Sequence, residues 1–368
     1  MRKIIAILFL SIIIGLKAGA QININPGVDT TDLTIKSAIK FYTDYMGEFK
    51  GKKLPDFKKY WSEEDCKSYK IPDLSIYGVG GDYPIYAMAP IKTITYVKPL
   101  PNDMVMLKSI GGWIDTLKIL NVMYLSNHLI KKDKNQQLHF VKPTTFYKKD
   151  WQHKDLRNIH YTFPKKHIFN KKIADSLIAQ VEKLEKDWEL KPIQIEYVFA
   201  PTYDEIQQIR GFDFTLGLGN REKPSGLSNQ TDNIVYGAGN GENYFHEIVH
   251  IYLNPIHPKS PLNEGLAVFY GGSMGQNLSW HIKRVKAYLK NHPEINLNKP
   301  QEFYFMDNYT NPLSTIQGLL CNLVYKKDGI KGLKRLMTYT NVNEVYEKEF
   351  GLDLKNLNKG LRALIDSQ

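Results

Sequence analysis

The stretch Asn243–Pro255, "NYFHEIVHIYLNP", carries two histidines four residues apart with a glutamate directly after the first. On a helix, positions i and i+4 share a face about one turn apart, so the rings of His246 and His250 can converge on one ion. Glu247 projects beside them, close enough to meet a water on that ion without itself being a ligand. The helix reading has local support at both ends. Asn254-Pro255 stops it, and the turn "GAGNG" before it offers Asn240 as the expected cap. The plainer alternative is a helix whose histidines are satisfied at the surface.

Two histidines do not complete a catalytic zinc site, which takes three protein ligands and leaves a position for water. The third is expected from "SPLNEGLAVFYGG", residues 260–272. There Glu264 falls in the first turn of a second helix, and Ala267 one turn on is small enough for close helix packing. His257, set among prolines, and His281 further on are the rival third ligands. A carboxylate on an ordered helix is the better placed, so the expected set is His246, His250 and Glu264 around one Zn2+ per chain.

Working outward, the segments before the motif alternate. "NIHYTF" reads as a strand and "KKIADSLIAQVEKLEKDWEL" as a helix with Ile173, Leu177, Val181, Leu184 and Trp188 on one stripe. "IQIEYVFA" reads as a second strand. Thr202 and Glu205 form a capping box for a short helix, and a glycine-rich loop leads to a third strand, "DNIVY". Beyond Pro255 the chain reads as mainly helical. Further upstream the pattern changes again. A helix over residues 30–47, with Leu33, Ile35, Ile39, Tyr42 and Met46 near helical spacing, is followed by "KTITYVKPL", "DMVMLKSI", "LNVMYLS" and "QLHFVKP", short strands separated by turn residues. That module resembles the cone-shaped α+β binding domains of the nuclear transport factor 2 type, a likeness of fold that carries no function. Its aromatics read as core rather than as a binding cup.

The pair "HEIVH" and "NEGLAVFY" resembles the gluzincins, zinc metallopeptidases with HExxH on one helix and a ligating Glu on the next, and more closely a bacterial branch with the second motif E-G-x-A-x-[FY]. The resemblance covers residues 156–365, including the "FGLDLKNL" rhythm near the end. It implies a zincin-like catalytic domain, with Glu247 as general base and an extended peptide paired along a sheet edge, here expected at "DNIVY". It also implies an oxyanion donor on a tyrosine ahead of a later helix. Tyr309 stands at that place, with Tyr270 and Tyr304 as rivals. The chain departs from the thermolysin-like pattern at Val268, where an Asp would orient a histidine, so another partner must fix the imidazoles. A G-x-M-E-N segment, which anchors a free substrate N-terminus, is not seen. Internal cleavage is therefore favoured over exopeptidase action.

The expected fold class is α+β: residues 21–155 as an N-terminal α+β module of unknown role, then 156–368 as the metallopeptidase domain, with sheet and active-site helix over 156–253 and a helical subdomain over 254–368. Residues 1–20 read as a signal peptide, with Arg2 and Lys3, an apolar run from Ile4 to Leu16, and Ala18-Gly19-Ala20 before the cut. That implies an exported, soluble, periplasmic or extracellular chain with no membrane span. Losing Arg2, Lys3 and Lys17 lowers the formal charge from +11 to +8. The lysines are scattered and no nucleic-acid motif accompanies them, so they read as a solvated surface; a peptide or protein substrate is what the gluzincin resemblance implies. Cys66 and Cys321 are the only cysteines, too few for a cysteine zinc site, and they read as separate thiols. Two other functions fit the same residues: an exported binding protein that keeps the scaffold without catalysis, and a zinc hydrolase of a non-peptide bond.

Overall fold

The computed structural model describes residues 22–76, 83–148, 150–216 and 224–368. The expected signal peptide, 1–20, lies outside the described residues. The chain is α+β and divides into two compact units, one drawn from residues up to 149 together with 207–220, the other from 150–206 together with 221–368.

In the first unit, strand β1 (Ile22–Ile24) pairs parallel with β2 (Ile91–Leu100), and β3 (Met104–Ile114), β4 (Leu120–Lys132) and β5 (Leu138–Val141) continue the sheet antiparallel. Helix α1 (Leu33–Gly47) buries Ile35, Ala38, Ile39, Tyr42, Tyr45 and Met46 in a core shared with Ile94, Leu107, Ile130 and Phe140. It begins at Leu33 rather than at residue 30 because the Asp32 carboxylate accepts from the amides of Thr34 and Ile35. Leu33, counted above with the apolar stripe, is exposed.

This core holds an unusual amount of polarity. Tyr45 donates to Asp73 at 2.6 Å, Ser75 donates to the same carboxylate at 2.5 Å, and Tyr42, Ser109 and Ser126 form a hydroxyl chain. His128, 3% exposed, packs among the rings of Tyr42, Tyr86 and Phe140, and neither of its ring nitrogens has a hydrogen-bond partner among the described residues. The sheet is completed by a strand from far along the chain, β9 (Phe212–Thr215), which pairs antiparallel with β4. The sequence reading kept that segment in the later domain; its four residues are too few to show a pattern, and only the pairing with β4 identifies them.

The second unit starts with β6 (Gln152–Leu156), upstream of the expected boundary at 155. Its sequence, QHKDL, is nearly all polar and exposed, so hydrophobic alternation could not reveal it. The sheet order is β10-β11-β8-β7-β6, where β7 is Ile159–Phe163, β8 Ile195–Ala200, β10 Ser225–Asn229 and β11 Ile234–Ala238. The inner pairings β7–β8 and β8–β11 are parallel and both outer ones antiparallel. Helix α5 (Lys171–Trp188), between β7 and β8, buries Ala174, Leu177, Val181, Leu184 and Trp188, with Ile173 left 40% exposed. A hundred degrees per residue puts Ala174, not Ile173, on the Leu177–Trp188 stripe. The Thr202–Glu205 capping box forms as read.

One expectation about this sheet is corrected. Of the segment "DNIVY", Ile234–Tyr236 open β11, which lies between β8 and β10, and all five residues of β11 are buried. The end strand on this side is β10, "SGLSN", a half-buried strand without a single β-branched or aromatic residue. Its pairing with β11 across five registered positions overrides that poor propensity. The helices that follow are α7 (Phe245–Leu253), α8 (Asn263–Gly271), α9 (Leu278–Asn291) and α10 (Pro312–Leu336, broken at Gly329). Cys66 and Cys321 are both free.

Candidate metal centre

Helix α7 is the structural axis of the site. All nine of its residues are buried, including His246, Glu247 and His250 at 5, 6 and 5% exposure. Groups that can carry charge are costly to bury unless something compensates them. A satisfied surface histidine pair is therefore not what this helix holds. Asn240 does not cap it: its amide donates to the carbonyls of Ser225 and Ala238, clipping the ends of β10 and β11 together. Tyr244 occupies the cap position without a side-chain bond.

Each imidazole is oriented by an acceptor at Nδ1. His246 Nδ1 lies 2.7 Å from the carbonyl oxygen of Gly272. His250 Nδ1 lies 3.2 Å from Oδ1 of Asn254, the residue that also ends the helix. With Nδ1–H donating in both rings, each Nε2 is left with a bare lone pair. These two atoms face one another at 3.1 Å. Two lone pairs at that distance repel unless a cation, proton or metal, is shared between them.

Glu264 closes the group from the first turn of α8, presenting Oε1 3.3 Å from His250 Nε2 and Oε2 3.7 Å from His246 Nε2. Nitrogens each about 2.05 Å from a tetrahedral ion stand about 3.3 Å apart, close to the observed ring separation. Taking one atom from each residue, the three donors lie within 4.8 Å of one another, and the Glu264 side chain is 63% exposed. The donor set, two neutral imidazoles and a carboxylate, suits zinc.

The carboxylate and the rings shift one another's protonation. Burial pushes His250 down, but the hydrogen bond and charge of Glu264, the charge of Glu247 and the hydrogen bond to Asn254 overcome it and raise the ring to about 9. Loss of water around its inward-facing oxygens pushes Glu264 up, although the side chain as a whole is exposed, and its bonds to His246 and His250 together with their charge hold it far below the ordinary carboxylate range. A proton on His250 offsets the repulsion between the two facing ring nitrogens.

The approach of the second helix depends on glycine. A Cβ at Gly271 would sit 2.3 Å from the His246 amide nitrogen, and one at Gly265 would sit 2.4 Å from Gln317 Cβ. Gly272 has φ +70°, and an added Cβ would meet Gln276 O at 2.0 Å. Behind it, Ser273 and Gln276 exchange backbone hydrogen bonds at 2.9 Å around Met274 and Gly275, both at positive φ, as in a primed hairpin turn. The Tyr244 ring stacks on His246, its hydroxyl accepts from the Met274 amide, and Gly226 on the edge strand leaves room for that ring.

The rival ligands are elsewhere. His257 packs edge-on against Trp188, and His281 spends both nitrogens on Ser273 and Thr310. Among the tyrosines, Tyr270 accepts from Trp188 Nε1 at 2.9 Å. Tyr304 and Tyr309 are 58% and 47% exposed, and the Tyr309 amide donates to Asp307. The structure brings His246, His250 and Glu264 together, and Tyr309 lies on the loop ahead of α10. The partners missed in the sequence are the Gly272 carbonyl, Asn254 and Tyr244. Of these the adjacent glycines 271 and 272, ending the quoted motif, were the one readable signal. No family model, curated protein or solved structure matches this chain.

Proposed function

We propose that the chain is an exported zinc metallopeptidase of the gluzincin type, on a zincin-like second unit, acting within peptide chains. The observation that carries this reading is the convergence of two Nδ1-anchored imidazoles and the Glu264 carboxylate beside a buried glutamate on the same helix. Among the described residues no helix is long and apolar enough to cross a membrane, which is compatible with export of the whole chain.

His246, His250 and Glu264 would hold the ion. Zinc bound there would supply Lewis acidity, polarising a peptide carbonyl and bringing the pKa of a water toward about 7. Glu247 supplies the proton chemistry. No hydrogen bond from another side chain reaches its carboxylate among the described residues, so it is available to take a proton from the attacking water and return it to the leaving amine. Tyr309 is the proposed donor to the oxyanion. An extended substrate would run along β10, an end strand of this sheet among the described residues, with its backbone paired as an added strand.

Glu247→Gln tests this directly. The variant should keep its metal and lose cleavage of a mixed peptide library by about 10²-fold or more. A zinc-loaded parent that cleaves no better than Glu247→Gln would overturn the peptidase reading.

A further inference from the structure

Outside the ligand set, a second group of buried polar side chains is connected to it through the turn at Gly272. His281, on α9, is 1% exposed. Its Nε2 lies 2.9 Å from the carbonyl oxygen of Ser273, the residue next to Gly272, and its Nδ1 lies 3.1 Å from the hydroxyl of Thr310, itself 1% exposed. The chemistry fixes the tautomer. A carbonyl only accepts, so Nε2 carries the proton and Nδ1 accepts from the Thr310 hydroxyl. The Thr310 oxygen in turn accepts from Arg284 Nε at 3.1 Å. Arg284 pairs with Asp307 and lies over the Trp280 ring, and Asp307 accepts from the amides of Tyr309 and Thr310 at 2.8 and 2.9 Å. Both His281 nitrogens and the Thr310 hydroxyl are engaged, and the two ends of the relay are pieces of backbone: the Ser273 turn and the loop 307–310.

The Ser273 carbonyl receives two donors, the Gln276 amide and His281 Nε2. Its peptide neighbour, the Gly272 carbonyl, is the group that orients His246. Rotation of this short stretch would move both carbonyls at once, because Gly272 is in a conformation with few steric restraints of its own.

The geometry points to His281 as a positioning residue for the metal centre: through Ser273 it locks the turn whose Gly272 carbonyl holds His246 in its ligating tautomer, and through Thr310 it ties the loop bearing Tyr309 to the same turn. This rests on the zinc reading above. His281 is thus a partner of the site rather than a rival ligand, and it does from a distance what the Asp missing at Val268 would do by contact.

The test is zinc affinity, measured on the whole chain by competition with a chromogenic chelator. His281→Leu should bind zinc about 10- to 100-fold more weakly than the parent. His281→Gln, whose amide can still donate to Ser273, should recover most of that loss. Thr310→Val, which removes only the hydroxyl, provides a milder variant should His281→Leu fail to fold, and it should also weaken binding. Val285→Ala, buried on the same helix at 1% exposure, should lower the melting temperature and leave zinc affinity unchanged. Parent-like affinity in both His281→Leu and Thr310→Val would overturn the inference, as would an equal loss in Val285→Ala. A parent that binds no zinc would overturn the metal reading and this inference with it.

Discussion

His246 Nδ1 lies 2.7 Å from the carbonyl oxygen of Gly272, twenty-six residues further along the chain. A backbone acceptor on a tight turn therefore orients this imidazole. It fixes the ring so that Nε2 faces the Nε2 of His250, and it makes the site depend on a residue that has no side chain.

Gly272→Ala should then damage the centre without touching a ligand. The added Cβ would fall 2.0 Å from Gln276 O at a φ of +70°, so the turn must shift and carry the carbonyl away from His246. A loss of zinc affinity of about 10- to 100-fold is expected, measured by chelator competition. Gly351→Ala provides the contrast: its φ is +62° with nothing within 4 Å, so it should cost about 1 kcal/mol of stability and leave zinc binding intact.

Metal binding should release protons. Glu264 raises the metal-free His250 to about 9 against the opposing effect of burial, so near pH 7 the ring is protonated and must lose its proton before it can ligate. Calorimetric titration with zinc at pH 7 in buffers of different ionisation enthalpy should report about one proton released per ion from this ring. Affinity should strengthen as pH rises from 6 to 8. A buffer-independent enthalpy would contradict the protonated pair.

The first unit should weaken in acid through His128. Burial holds this histidine below its ordinary value of 6.5, and the charge of Asp73, 4.0 Å from Nε2, only partly opposes that. As pH falls through 6.5 the unfolded chain takes up a proton that the folded chain refuses. The stability is therefore fully present above 6.5 and is lost below it, by up to about 1.4 kcal/mol per pH unit. His128→Phe, a shape suited to the surrounding Tyr42, Tyr86 and Phe140 rings, should flatten that dependence. Urea unfolding at pH 7.5, 6.5 and 5.5 would check it, and equal slopes in parent and variant would refute it.

Legibility in the sequence followed the range of the interactions. The i, i+4 spacing of His246 and His250, the start of α8 at Asn263 beside Glu264 and the Thr202–Glu205 box are all local, and each could be read from neighbouring residues. Strand β10 could not, because Ser225–Asn229 has no strand propensity and exists through its pairing with β11. Nor could β9, which reaches β4 over some ninety residues. Asn240 was misread for a related reason: an Asn before a helix suits a cap, but here the nearer acceptors are the strand-end carbonyls of Ser225 and Ala238. The acceptors that orient the ligands escaped notice because one of them, the Gly272 carbonyl, is main chain and carries no residue-type signature.

The most direct measurement is the zinc content of the purified chain by inductively coupled plasma mass spectrometry, beside His246→Ala and Glu264→Ala. One zinc per chain in the parent, with little or none in either variant, is the expected result. A parent that holds no zinc after incubation with the metal and dialysis would contradict the three-ligand centre and the hydrolytic function built on it.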